Sequence, residues 1–144
     1  MAALWVEDGV YDVDSGYLAG HGELAAMVGS DQHQAFIARG CGHFLTPAHI
    51  TVEHDHAIAA GHSLLVLRER DAFLIHRVTA HHWPLTRTPD GWRVRRRTSR
   101  ILDGDVFAHR LLAAGVRGEQ PHRPAGADDR AARTAAAGRP GRAS

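Results

Sequence analysis

The stretch FLIHRVTAHHWPLTRTPDGWRVRRRTSRIL, residues 73–102, contains the clearest fold signal in the chain. On both sides of its centre, apolar and polar side chains alternate with the period of two that is typical of half-buried strands. At the centre, Pro89 presets φ for a turn, and Asp90-Gly91 supplies a side-chain acceptor and a residue that tolerates positive φ. The stretch predicts two long strands joined by a tight turn. Because one hairpin is not stable alone, more strands and a cover for its apolar face are expected.

Helices are predicted on both sides of this hairpin. Over residues 20–28, Leu24, Met27 and Val28 recur at helical spacing, and residues 31–39 and 106–116 read as further helical stretches, the last closing at Gly115. Ser30 is the expected N-cap of the second helix, and Gly40 is its expected stop. These segments predict three short helices, two before the long strands and one after them.

Further strands are predicted over residues 10–13, 43–54 and 57–67, with Pro47 marking an edge position or a bulge. Residues 1–6 read as the last turns of a helix that ends near the first strand. The order of these elements predicts an α+β fold, with helices on one face of a curved antiparallel sheet. A sheet curled around helices tends to leave a cone-shaped central cavity, which is a common ligand site.

Composition and charge restrict the class of protein. The 144 residues suit one domain, and a net charge of +1 gives no general attraction to nucleic acid or to a membrane. No apolar run approaches the roughly 20 residues that span a bilayer, and the acidic first residues do not resemble a signal peptide. The single cysteine, Cys41, excludes an internal disulfide and fits a reducing compartment. A cytoplasmic protein without nucleic-acid or membrane partners is expected.

The end of the chain differs in composition from the rest. Residues 117–144 contain no large apolar side chain, so they cannot bury enough surface to offset the entropy of ordering. We therefore expect a folded domain over residues 1–116 and a disordered tail over residues 117–144.

Three segments carry a resemblance to a known family: GCGHFLT at residues 40–46, the strand at 57–67, and VTAHHWPLTRTPDGWRVRRRTSRILDG at 78–104. Over residues 2–116 the chain resembles the SnoaL-like branch of the nuclear transport factor 2-like superfamily. This superfamily includes polyketide cyclases, scytalone dehydratase, ketosteroid isomerase and small subunits of ring-hydroxylating dioxygenases. The resemblance implies a small-molecule cavity and proton-transfer chemistry without a cofactor, by dehydration, isomerisation or cyclisation of a cyclic or polyketide-like substrate.

The resemblance also implies a homodimer formed through the outer face of the sheet. Apolar residues expected on that face are Leu64, Val66, and Trp92 or Trp83. Exposed apolar surface larger than a few hundred Å² usually marks an interface.

Two features depart from the family pattern. Members usually begin with a full helix, which in the dehydratase-like branch carries a Tyr-Asp pair facing the cavity, and this sequence has no counterpart of that pair. Related sequences often have Asn in the fourth strand where this chain has His81. Three interpretations therefore stay open: an enzyme, a non-catalytic binding or scaffold protein of the same fold, and a chain whose true start lies upstream.

His43 is the main catalytic candidate. By its place in GHFLT it resembles the catalytic histidine of the dehydratase-like members. A neutral imidazole there is suited to taking a proton next to a carbonyl, because its ordinary pKa lies near operating pH. The alternative is a histidine at the edge of the core that is satisfied by a backbone carbonyl.

The fourth strand offers three more histidines. Alternation places His76 and His82 on one face and His81 with Trp83 on the other, unless a bulge intervenes. By resemblance to ketosteroid isomerase-like members, His81 or His82 would donate to an oxyanion, and the alternative is a polar outer face. We expect His76, Trp83 and Tyr11 to contact the ligand.

Asp12 and Asp14 flank the turn after the first strand, near the general base of the isomerase-like members. A carboxylate in an apolar pocket would have a raised pKa and would shuttle a proton. The alternative for both residues is a turn-capping role.

Metal and nucleic-acid sites are not expected. Twelve histidines are present, but the densest group, His54-Asp55-His56, falls in a predicted tight turn and no spacing matches a zinc pattern. Alternation points Arg93, Arg95 and Arg97 to one side of their strand, expected to be solvent, without the interleaved aromatics of a nucleic-acid face.

Overall fold

The computed structural model describes residues 2–122 as one curved mixed sheet with three α-helices. After a short 3-10 turn (Ala2–Leu4) the elements are β1 (Trp5–Val13), β2 (Gly16–Ala19), α1 (Gly20–Val28), α2 (Asp31–Arg39), β3 (Cys41–Leu45), β4 (His49–Glu53), β5 (His56–Glu69), β6 (Ala72–Thr88), β7 (Gly91–Ile101) and α3 (Val106–Val116). The strands lie in the order β2-β1-β7-β6-β5-β3, and β4 also pairs with β5. The predicted α+β fold class is confirmed.

Local sequence signals explain where the helices begin and end. The Ser30 side chain accepts a hydrogen bond from the His33 backbone N–H at the start of α2, and Gly40 ends this helix with φ near +85°. Asp105 caps α3 by accepting from the Phe107 backbone N–H at 2.6 Å. At α1 the cap is reversed: the Ala19 N–H donates to the carboxylate of Glu23 at 2.7 Å. The helices therefore lie where the sequence predicts them.

The first residues differ from the prediction. Residues 1–6 were expected to be helical, but β1 begins at Trp5 and runs parallel to β7, with Trp5 opposite Val94 and Tyr11 opposite Arg97. The sheet is therefore mixed, with antiparallel pairing elsewhere. The short strand β2, which hairpins back onto β1, was not predicted. Both elements depend on pairing partners, which local periodicity does not reveal.

The predicted strand over residues 43–54 is two strands, β3 and β4, broken at residues 46–48. Pro47 lies at the break, because proline lacks the N–H that a strand needs for its ladder. Both pieces pair antiparallel with the long strand β5, which follows the tight turn at His54 and Asp55. No helix within residues 2–122 is long and apolar enough to cross a membrane.

The sheet has two faces of different character. The α3 face carries Ala60, Ala80 and His82, and α3 covers it there by packing Ala108 and Leu111 against Ala80. The opposite face carries His43, Ser63, His81 and Ser99, and we call it the histidine face. Adjacent residues of a strand point to opposite faces, so β6 contributes to both.

Helix α3 lies close against the sheet at Gly115. A Cβ at this position would overlap the Cβ of Ala60 and lie 3.2 Å from Cδ2 of His82. The absence of a side chain is therefore what permits the helix to sit on β5 and β6.

Gly115→Ala should lower the free energy of unfolding by about 2 kcal/mol, because overpacking outweighs the gain of about 1 kcal/mol in helix propensity. Gly22→Ala in α1 is the matched control, since a Cβ there meets nothing within 4 Å. Urea unfolding should show opposite signs for the two variants. Equal stabilisation by both would contradict the close packing of α3.

The predicted tail begins at Arg117, and its first residues contact the domain. The backbone carbonyl of Glu119 accepts a hydrogen bond from His82 Nε2 at 2.8 Å, and Gly118 lies against the side chain of Thr51. Ordered structure thus extends at least to Glu119. The remainder of the predicted tail, residues 123–144, lies outside the described residues.

Candidate functional site

A continuous chain of hydrogen bonds crosses four neighbouring strands on the histidine face. Nε2 of His43 lies 3.2 Å from Oγ of Ser63, and the same Oγ lies 2.7 Å from Nε2 of His81. Nδ1 of His81 then lies 2.8 Å from Oγ of Ser99. We call these four residues the histidine–serine chain.

Strand register explains why these side chains meet. His81 pairs directly with Ser99 on β7 and with Gly61 on β5. Ser63 lies two residues along β5 from Gly61 on the same face, within hydrogen-bond reach of the His81 imidazole. The break at residues 46–48 packs over Gly61, where a Cβ would lie 3.4 Å from Oγ1 of Thr46.

His81 is buried and neutral. Only 3% of its surface is exposed, and Ser63 and Ser99 are each 1% exposed. Burial, followed by the positive charge of Arg97 and contributions from His43 and Arg77, lowers the pKa of His81 to about 3. Near neutral pH one ring nitrogen of His81 therefore donates and the other accepts.

The Ser63 hydroxyl restricts the protons of the chain, because it has one proton and two imidazole neighbours. If Ser63 donates to His81, then His43 Nε2–H donates to Ser63 and His43 Nδ1 is left as the basic nitrogen. If Ser63 donates to His43, then His81 Nε2–H donates to Ser63 and His81 Nδ1 accepts from Ser99. The tautomers of His43 and His81 are therefore linked.

His43 forms the exposed end of the chain. Partial burial, and then the charges of Arg97 and Arg77, lower its pKa below the ordinary value for histidine. His33 of α2 contributes in the same direction, which places this helix beside the site. His43 is therefore neutral near pH 7 and competent to accept a proton.

Arg97, Tyr11 and Trp83 form an aromatic and cationic wall beside the chain. The Arg97 guanidinium lies 4.8 Å from the Tyr11 ring centre and 5.2 Å from that of Trp83. The Trp83 ring is also 6.0 Å from the ring of His81. A register shift between β6 and β7 next to Pro84 allows Arg97 to lie beside Trp83.

The structure brings together several of the predicted site residues. His43 and His81 share the histidine–serine chain, and Tyr11 and Trp83 border it through Arg97. His76 occupies a bulge, since the register between β5 and β6 shifts beside it, and its ring is 6.0 Å from that of Phe36 on α2. The bulge changes the alternation that would have grouped His76 with His82.

Asp12 does not join this group. It pairs with Arg96 at 2.8 Å and with Arg100 at 2.6 Å, and Arg100 lies 5.5 Å from the ring of Phe107 on α3. Burial alone would raise the pKa of Asp12, but hydrogen bonds from both arginines outweigh burial and lower it. Asp14, beside the turn, accepts from the Ile101 backbone N–H. A paired carboxylate with a lowered pKa on the α3 face is not suited to the predicted role of general base.

His82 lies in the packed core beneath α3 and not with the histidine–serine chain. It is 1% exposed, lies against Gly115 of α3, and donates from Nε2 to the Glu119 carbonyl. Burial lowers the pKa of His82, and the hydrogen bond to Glu119 opposes this only in part. Of the two adjacent histidines, the structure therefore places His81 with His43 and His82 under α3.

Sequence reasoning missed four residues of the site: Ser63, Ser99, Arg77 and Arg97. Arg97 was expected in solvent but lies half-buried beside Tyr11 and Trp83. Serines in strands carry no signal of their own, and only the cross-strand register would have identified them. Within residues 2–122, no group of three or more His, Cys, Asp or Glu side chains is placed to hold a metal ion.

Comparisons with known proteins agree with this architecture. The SnoaL-like domain model matches residues 1–98. A nuclear transport factor 2-like protein with a cystatin-like fold from Novosphingobium aromaticivorans is 44% identical, with a TM-score of 0.75 over 77% of this chain and 73% of that one. No curated protein matches the chain.

Two more distant structures share the fold alone. ActVI-ORFA from Streptomyces coelicolor is 21% identical, with a TM-score of 0.61 over 72% of this chain and 81% of that one. Aln2 from another Streptomyces strain is 17% identical, with a TM-score of 0.62 over 71% of this chain and 74% of that one. With two thirds of the chain matched by the family model, the protein belongs to the SnoaL-like domain family of the nuclear transport factor 2-like superfamily.

Proposed function

We propose that the protein binds a small cyclic or polyketide-like molecule on the histidine face and moves a proton on it through His43, without a cofactor. The observation that carries this proposal is the histidine–serine chain, which holds a neutral, accessible imidazole at its end. Membership of the SnoaL-like family supports small-molecule binding on this fold. Dehydration, isomerisation and cyclisation all begin with such a proton transfer.

The low pKa of His81 determines where the proton stays. When Ser63 donates to His81, Nδ1 of His43 accepts a proton from a carbon next to a carbonyl, and His43 becomes an imidazolium. Passing that charge on to His81 is unfavourable, because the pKa of His81 is about 3. His43 therefore keeps the proton and returns it to another carbon or to a departing hydroxyl. In this mechanism Ser63 and His81 orient His43 and are positioning residues.

His43→Asn should reduce proton transfer by roughly 100-fold, the usual share of a general acid–base group. The base-promoted ring opening of 5-nitrobenzisoxazole, followed by absorbance of the phenolate product, measures this without knowledge of the natural substrate. In the wild type the rate should rise with pH to a plateau, with its midpoint below pH 6.5, because the base must be neutral and its pKa is lowered.

Controls separate this role from a structural one. The free energy of unfolding should change by less than about 1 kcal/mol in His43→Asn, since the side chain is exposed. His109→Asn on the exposed side of α3 should leave the rate unchanged. A His43→Asn rate equal to that of the wild type would refute the proposal.

The alternative function is a non-catalytic ligand-binding or dimeric scaffold protein. The lowered pKa of His43 favours it, because a weaker base abstracts protons more slowly. Ligand binding on the histidine face without any proton transfer from bound compounds would support this alternative.

We also propose a homodimer, in a cytoplasmic location that the free Cys41 fits. The part of the α3 face that α3 does not cover is apolar and exposed to solvent. Phe44 and Ile75 are 59% and 61% exposed there, beside Leu64 and Val66. Trp83, one of the two tryptophans predicted as contacts beside Trp92, instead lies on the histidine face.

Light scattering at tens of micromolar should therefore report a dimer, and Ile75→Glu should shift it toward monomer, because burying an unpaired carboxylate is costly. Val116→Glu, at an exposed apolar residue of α3, is the control and should remain dimeric. A monomeric wild type would exclude the dimer.

A further inference from the structure

We propose that the ligand of the histidine face is an organic carboxylate with a flat aromatic or polycyclic body, held by Arg77 and Arg97. The proposal rests on the proposed function, in that the same face binds the small molecule. It adds the charge of the ligand and the residues that select it.

The two arginines lack protein counter-charges among residues 2–122. Ion pairs there involve Arg87, Arg96, Arg100 and Arg117, but neither Arg77 nor Arg97. The Nε atoms of Arg77 and Arg97 are buried without a hydrogen-bond partner in that part of the chain.

The α3 face provides an internal comparison. There, Arg96 and Arg100 converge on the single buried carboxylate of Asp12. The titratable groups that act on His43 and His81 are His33, His62, Arg77 and Arg97, besides the two histidines themselves, and none is acidic. The same sheet thus neutralises one arginine pair with a protein carboxylate and leaves the other without one.

Leaving this second pair unneutralised is unfavourable. A half-buried, unpaired cation loses part of its hydration without recovering it from a partner, and two like charges repel. Burial lowers the pKa of Arg97, the neighbouring Tyr11 opposes this, and the charge of Arg77 adds to the lowering. An anion placed between the two guanidinium groups would remove both costs, and a carboxylate matches their fork geometry.

The surrounding side chains specify the body of the ligand. The rings of Tyr11 and Trp83 flank Arg97, so a flat apolar group can stack beside the bound carboxylate. Trp83 Nε1 is buried without a hydrogen-bond partner among residues 2–122, and it would donate to a carbonyl or hydroxyl oxygen of the ligand. Arg77 and His43 pair with Leu65 of β5 from its two sides, so a carboxylate held by Arg77 lies close to the proposed base.

Matched probes test the proposal on the full chain. Calorimetry should show that 2-naphthoate binds about tenfold or more tightly than 2-naphthamide, which has the same shape without the charge. Arg97→Gln and Arg77→Gln should each abolish most of this preference, and each should fold, because a half-buried, unpaired charge is removed. Arg95→Gln, at an exposed position of β7, is the control and should retain the preference.

The outcomes separate this proposal from the proposed function. Equal affinity of the wild type for both probes, binding of neither, or a preference that survives in both arginine variants would overturn the carboxylate proposal. If His43-dependent ring opening persists in that case, the proton-transfer function stands without it. Conversely, a carboxylate preference that His43→Asn leaves intact, in a protein without His43-dependent proton transfer, would support the carboxylate site and refute the catalytic role.

Discussion

Between pH 7 and pH 4, the free energy of unfolding should fall by about 3 kcal/mol through His81 alone. The folded protein holds the pKa of His81 at about 3, whereas in the unfolded chain it returns to its ordinary value of 6.5. Below pH 6.5, His81 therefore becomes protonated in the unfolded state while it stays neutral in the folded state. Stability is fully present above pH 6.5 and is lost progressively as the pH falls toward 3. The lowered pKa values of His43 and His82 act in the same direction.

Urea unfolding at half-unit pH intervals measures this dependence. His81→Asn should flatten the curve between pH 6.5 and pH 4, whatever its effect on stability at pH 7, because the group that titrates is gone. His109→Asn, at an exposed position of α3, should reproduce the wild-type slope. A His81→Asn curve as steep as that of the wild type would mean that His81 is not the buried neutral group of this site.

Asp12→Asn should lower the free energy of unfolding by about 3 kcal/mol at pH 7. This value is at the low end of the range for a broken buried ion pair, because Arg96 is partly exposed. The change removes the 2.6 Å partner of Arg100, whose side chain is 15% exposed, and leaves it only the more distant Asp14 carboxylate at 3.8 Å. Thermal or urea unfolding measures the loss.

Asp8→Asn is the matched control, because Asp8 lies in the same strand with an exposed side chain, and its effect should stay within about 0.5 kcal/mol. The ring-opening rate per folded molecule should be unchanged in Asp12→Asn. A rate that falls with little change in stability would instead assign Asp12 the role of general base, against its placement on the α3 face.

Local patterns in the sequence were sufficient for the elements whose cause is local. The turn at Asp90-Gly91, the N-cap at Ser30 and the helix stop at Gly40 follow from the chemistry of those residues, and the structure has all three. The alternation of β6 correctly separated His81 from His82, since adjacent strand residues point to opposite faces. Periodicity and the family resemblance together were enough for the fold class.

Only the tertiary structure decided which side chains meet. Asp12 finds its arginine partners 84 and 88 residues away, and Ser63 meets a histidine 18 residues later and another 20 residues earlier. Such contacts depend on strand register, and register is set by packing across the whole sheet rather than by the residues that it aligns. Bulges beside His76 and Pro84 then change which residues share a face. Alternation along one strand shows which of its residues share a face, but the register of the neighbouring strands determines which side chains those residues contact.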